Sequence, residues 1–142
     1  MTVHKLWLQV GSPTGWASAD LRVLLLHEAS TATPDVDDLY VADLIPASNE
    51  LVNDDYARVA LTGKAATYSA GVWSLEADAV DFGALTPDPG TQGVSGWALY
   101  VHVSTDANSP LVRTGTTAAH TLTGDNVLVS WADGVVLTVA EA

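Results

Sequence analysis

The side chains able to do chemistry are few and scattered. Four histidines, His4, His27, His102 and His120, have no two at the short spacings of a zinc motif, although strands can bring distant residues together. A structural or solvent-facing role is expected for each. Asp35, Asp37 and Asp38 crowd one segment as the acids of a calcium loop would. Such a loop also needs a glycine at its sixth position and a bidentate glutamate at its twelfth, and both are missing. Capping at a helix N-terminus explains these acids more simply.

Seventeen acids would allow a paired-carboxylate hydrolase, yet Asp54-Asp55, Asp88, Asp106, Asp125 and Asp133 sit beside turns, where a carboxylate ordinarily accepts backbone N–H groups. Gly93-Val94-Ser95-Gly96 brings its second glycine one residue early for a nucleophile elbow, and no helix pattern follows the serine. Gly63-Lys64 lacks the upstream glycine and the following Ser or Thr of a phosphate loop. The expectation is a non-enzymatic protein with no catalytic residue, no metal and no cofactor.

Five tryptophans are the most unusual feature, since large aromatics serve as interface anchors or sugar-stacking platforms as well as core. Trp73, Trp97 and Trp131 alternate in register with aliphatic residues and are expected in the core. Trp7 and Trp16 lie near the N-terminus and are better placed to touch a neighbour. Leu6, Trp7, Leu8, Trp16 and Tyr40 are the candidate partner-binding residues.

These side chains must be positioned by strands. Runs of five to eight residues rich in Val, Leu, Trp, Tyr and Thr recur between turn clusters, the pattern of a β-sandwich or barrel. Residues 5–10 read as a first strand, closed by Gly11-Ser12-Pro13-Thr14-Gly15. Residues 20–27 carry Leu21, Val23, Leu24, Leu25 and Leu26 and predict a central strand covered on both faces. Over 31–49 the pattern changes: Pro34 and three acids look like a helix start, Val36, Leu39, Tyr40 and Leu44 have roughly helical spacing, and Pro46 ends it. One short helix or ordered loop is expected near residues 35–45.

A hairpin is expected over 56–61 and 64–69 around Thr62-Gly63, continuing as a meander through Ala70-Gly71 into 72–77, with Trp73, Leu75 and Ala77 on one face. Further strands are read at 80–82, 96–103 and 111–113. The last two, 127–131 and 135–139, flank Asp133-Gly134, a tight-hairpin dipeptide. The total is about nine strands, with no fixed-period repeat.

Bulk composition fits this reading. A chain of 142 residues with 48% hydrophobic and 15% charged residues suits one folded domain, 1–142, with residues 1–15 as an N-terminal arm. There is no cysteine, so packing and strand pairing must hold the fold. No stretch is apolar enough to span a bilayer, and no secretory leader is evident. A formal charge of −12 repels phosphates, so neither nucleic acid nor a membrane is an expected partner. The same charge means that copies packed together must offset repulsion, or dock on a basic partner.

Trp16 with Asp20-Leu21-Arg22-Val23-Leu24-Leu25, the segment 40–44, Tyr56-Ala57-Arg58-Val59-Ala60-Leu61 and Ala77-Asp78-Ala79-Val80-Asp81-Phe82 resembles, in its order, a family of small tailed-bacteriophage virion proteins. The resemblance continues through Gly96-Trp97-Ala98-Leu99-Tyr100-Val101, Ser109-Pro110-Leu111-Val112 and Val129-Ser130-Trp131-Ala132-Asp133-Gly134-Val135, covering roughly 16–139. It implies a particle subunit assembled in the host cytoplasm. The role implied is a capsid decoration or minor capsid protein that binds major capsid subunits and oligomerises on the head, with a tail component as the rival; the aromatics separately raise a carbohydrate-binding tail-tip module in which Trp7, Trp16 or Tyr40 stacks on a sugar. The resemblance implies no catalytic residues. The strand-like alternation of Leu6, Leu8 and Val10 departs from the family pattern and is expected to add a strand to a neighbouring subunit.

Overall fold

A computed structural model describes residues 2–3, 15–28, 30, 35, 37–45, 49–87 and 93–140. The predicted strand at 5–10, with Leu6, Trp7 and Leu8, lies outside the described residues, as do His4, Pro34, Val36 and Pro46. Within them the chain forms ten strands: β1 Thr2–Val3, β2 Leu21–His27, β3 Val59–Ala60, β4 Ala65–Ser69, β5 Val72–Glu76, β6 Val80–Ala84, β7 Gly93–Val101, β8 Leu111–Thr121, β9 Asn126–Val129 and β10 Val135–Ala140. The fold is all-β, with one α-helix among the described residues, α1, at Val41–Leu44.

Every ladder is antiparallel. A five-stranded sheet runs β1-β8-β7-β2-β3, a three-stranded sheet β10-β5-β4, and β6 pairs with β9 alone. The large sheet packs against the two small ones as a sandwich, because alternate residues of β2 and β7 (Leu21, Val23, Leu25; Trp97, Leu99) share one buried cluster with Leu75, Val80, Val129, Val136 and Leu137. The opposite face of β2 and β7 is also covered: Leu24, Leu26, Ala98 and Tyr100 pack with Leu111 and with Val41 and Leu44 of α1. This double burial produces the unbroken apolar run of β2, which lies between β7 and β3 as an interior strand; β7 holds the middle of the sheet. Each fully buried leucine contributes about 1.5–3 kcal/mol relative to exposure.

The helix is shorter than its acidic lead-in suggests. Asp35 accepts the Asp37 N–H at 3.0 Å and Asp38 accepts the Asp35 N–H at 3.0 Å, so those carboxylates close turns instead of a helix N-terminus. The helix begins at Val41, where Asp43 accepts the N–H groups of Leu39 and Tyr40 at 3.1 and 2.9 Å. It is anchored by Tyr40 bridging Pro110.

Two predicted hairpins are corrected. Val59 and Ala60 pair with Val23 and Arg22 of β2, whereas β4 pairs with β5, so 61–64 is a crossing between sheets. Likewise β9 pairs with β6 and β10 with β5, so Asp133-Gly134, both at positive φ (54° and 74°), turns the chain from one small sheet into the other. Only Ala70-Gly71 closes a two-residue hairpin as expected, between Ser69 and Val72, with φ of 51° and 81°. The predicted strand at 111–113 is the start of β8, which runs eleven residues. Its continuation, Thr114 to Thr121, lacks large apolar side chains and is a strand because β7 pairs with it.

Candidate functional site

Two places bring distant residues together. The first is a cluster on the outer face of the large sheet. Arg58 lies where the chain leaves loop 49–58 for β3. Its Nε and Nη2 donate to Glu50 at 2.7 Å each, and its Nη1 and Nη2 donate to Asp106 at 2.6 and 2.9 Å. The guanidinium also stands 5.4 Å from the Tyr100 ring centroid, and Nη1 reaches the Tyr100 hydroxyl at 3.3 Å. Tyr56 donates to Glu50 at 2.8 Å and accepts the Leu25 N–H at 3.1 Å.

Electrostatics identify this cluster as a clamp. Hydrogen bonding to Glu50 and Asp106 raises Arg58 further above its ordinary range, and hydrogen bonding from Arg58 lowers the Asp106 carboxyl. Burial raises the Tyr56 and Tyr100 hydroxyls. A general acid needs a carboxyl pushed up toward neutral pH, and Asp106 is shifted the other way. Both carboxylates are held by one cation, tying loop 49–58 to the 3-10 turn Asp106–Asn108. Sequence reasoning missed this cluster; its contacts span 8 to 48 residues, and no local pattern marks them.

The second place is an open cleft of about 520 Å³ at the other end of the sandwich. Leu25, Val94 and Trp97 line its floor, Thr117, Ala118 and His120 of β8 one side, and residues 126–130 the other. Beyond Gly115 every residue of β8 is exposed, so the strand extends past the covered part of the sandwich. Between Val94 and Gly96 β7 advances two residues while β8 moves four, from His120 to Thr116, so a bulge lifts 117–119 out of the ladder.

The candidate partner-binding residues separate. Trp16 is completely buried and donates from Nε1 to the Glu76 carbonyl at 2.8 Å, so its expected role as a surface anchor is corrected: it is core, joining the start of β2 to the end of β5. Tyr40 is half-buried at the start of α1. Trp97 is buried and meets Trp131 edge to face at 5.2 Å, Trp131 and Trp73 are partly exposed, and Tyr68 at 50% exposure leans on Trp73 at 5.2 Å. The sheet sets His27 and His120 in one cross-strand row on either side of Val94. Among the described residues no three His, Asp or Glu converge as metal ligands.

No family model matches this chain, and no curated protein and no solved structure matches it.

Proposed function

We propose that this chain is a non-enzymatic structural protein of a bacteriophage particle, a decoration or minor capsid protein that binds major capsid subunits and stabilises the head. The observation that carries the reading is the open end of the sandwich, where the exposed half of β8 and the cleft beside it offer backbone edges and apolar floor to another chain. Charge supports the same face. Residues 107–124 contain no acid in a chain that carries seventeen, so β8 itself adds no negative charge to that end. Many weak contacts of this kind, repeated over a shell, act together through multivalency.

The test is the position of the chain in a cryo-EM map of the particle. The expected result is density for the sandwich on the head, with the β8 end against capsid subunits. Density confined to the tail, or none, would overturn the reading.

A sugar-binding tail-tip module is the second reading, favoured by the exposed Tyr68 beside Trp73 on the β4–β5 hairpin. Binding of the whole chain to a glycan array, lost in Tyr68→Ala, would support it over the first.

A further inference from the structure

The cleft at the open end is apolar from floor to rim. Leu25, Val94, Trp97 and Val129 reach it although each is at most 9% exposed, so its floor is the packed core itself. Higher up, Leu128 at 58% exposure and the exposed Ala118 carry apolar surface onto both walls. Among the described residues no carboxylate, lysine or arginine lines it. Its 520 Å³ falls within the roughly 300–1,000 Å³ in which proteins hold ligands. Apolar walls left open over a buried floor mark a place where another molecule docks.

Charge appears just outside the β9 wall. Asn126 lines the cleft and donates from Nδ2 to Asp81 at 3.0 Å, and the exposed Asp125 precedes it in the chain. Two carboxylates therefore stand beside the cleft in a molecule whose formal charge is −12, and both favour a cationic neighbour over an anionic one. On the β8 wall the bulge holds 117–119 out of the β7 ladder, which leaves main chain there for an extended peptide to bond. A sugar is poorly served by the same cleft, because Gly115 covers one face of the Trp97 indole and little of the residue is exposed for stacking.

We propose that the cleft seats one large apolar side chain from an extended segment of a capsid subunit, with lysine or arginine on either side of that anchor. The inference rests on the capsid reading and names the chemistry of its contact. An apolar anchor enters without burying a charge, because the lining carries none to oppose it. In an extended segment the residues before and after the anchor point away from the floor, and long cationic side chains bring their ends to the rim, on the side of Asp81 and Asp125. The floor then supplies affinity and the carboxylates supply selection.

The test uses blocked tripeptides, acetyl-Lys-Trp-Lys-amide, acetyl-Gly-Trp-Gly-amide and acetyl-Glu-Trp-Glu-amide, titrated into the isotope-labelled full-length chain and followed by NMR. The lysine peptide is expected to shift the amides of Val94, Ala118 and Leu128. Its Kd should lie about fivefold below that of the glutamate peptide at about 10 mM salt, with the ratio falling toward one at about 1 M. Leu128→Ser, a change at an exposed position, is expected to weaken the lysine peptide about threefold. Asp81→Asn should narrow the gap between the lysine and glutamate peptides, and the salt series reads the same preference if that variant shifts the unfolding midpoint. Equal binding of all the peptides, shifts confined to residues outside the cleft, or no shifts at all overturns the proposal. Head density without the peptide preference defeats the anchor alone, and the peptide preference without head density defeats the capsid reading alone.

Discussion

The Trp97 indole lies on Gly115, its cross-strand partner, so closely that a Cβ at position 115 would stand 2.5 Å from Cε2. The absent side chain lets the ring sit flat on β8 and present its edge to Trp131 at 80°. Gly115→Ala is expected to lower stability by about 1–3 kcal/mol, because the ring or the strand must shift in a packed interior. Denaturant titration followed by tryptophan fluorescence checks this, and an unchanged midpoint would show that the indole is free to move.

Tyr56→Phe removes one oxygen and two hydrogen bonds. Its hydroxyl meets the Leu25 N–H between the β3 ladder at Arg22 and Val23 and the bridge from Leu26 to Glu50. Leaving that N–H without a partner should cost about 1–3 kcal/mol. Loss of protection of the Leu25 amide in hydrogen exchange, out of proportion to its neighbours, is the specific readout.

Arg58→Ala leaves Glu50 and Asp106 facing each other without their shared cation, and should destabilise by about 2 kcal/mol, between the values for exposed and buried pairs. The pH dependence follows from Asp106, whose carboxyl sits below its ordinary 3.8 because Arg58 donates to it. Its contribution is fully present above that ordinary value and is lost as pH falls through the lower folded one. Asp106→Asn should therefore be less stable than the parent at about pH 7, with the gap narrowing as the pH falls below the ordinary carboxyl value of 3.8 and through the lower folded one. A gap that stays constant over that range would refute the clamp.

Ala70 holds φ of 51° at the first position of the β4–β5 turn, a conformation that favours Gly or Asn. Ala70→Asn should raise stability by about 0.5–1 kcal/mol with no change elsewhere, read as a higher thermal midpoint. A fall would mean that the alanine methyl makes a contact worth more than the strain.

Legibility tracked how local each cause was. β2 could be read because five apolar residues in seven positions exceed what a one-sided strand needs. The alternation of Trp97 and Leu99 against Ala98 and Tyr100 assigned both faces of β7 correctly, since period two is a property of the strand itself. Trp16 misled because Gly, Ser and Ala surround it and give no periodicity; its burial is set by β5, sixty residues away.

The sequence by itself determined the all-β class, the absence of cysteine chemistry, the turn positions and the faces of the long strands, because each follows from the order of polar and apolar side chains along a few residues. Only the tertiary structure decided which strand each turn delivers the chain to. A turn at Gly63 or Asp133 reverses direction, but pairing across sheets is chosen by the burial of Leu61, Val129 and Val136 in one shared core. The Arg58 clamp and the cleft between β8 and β9 are consequences of that choice, since both are made by residues that meet only after the sheets have closed on each other.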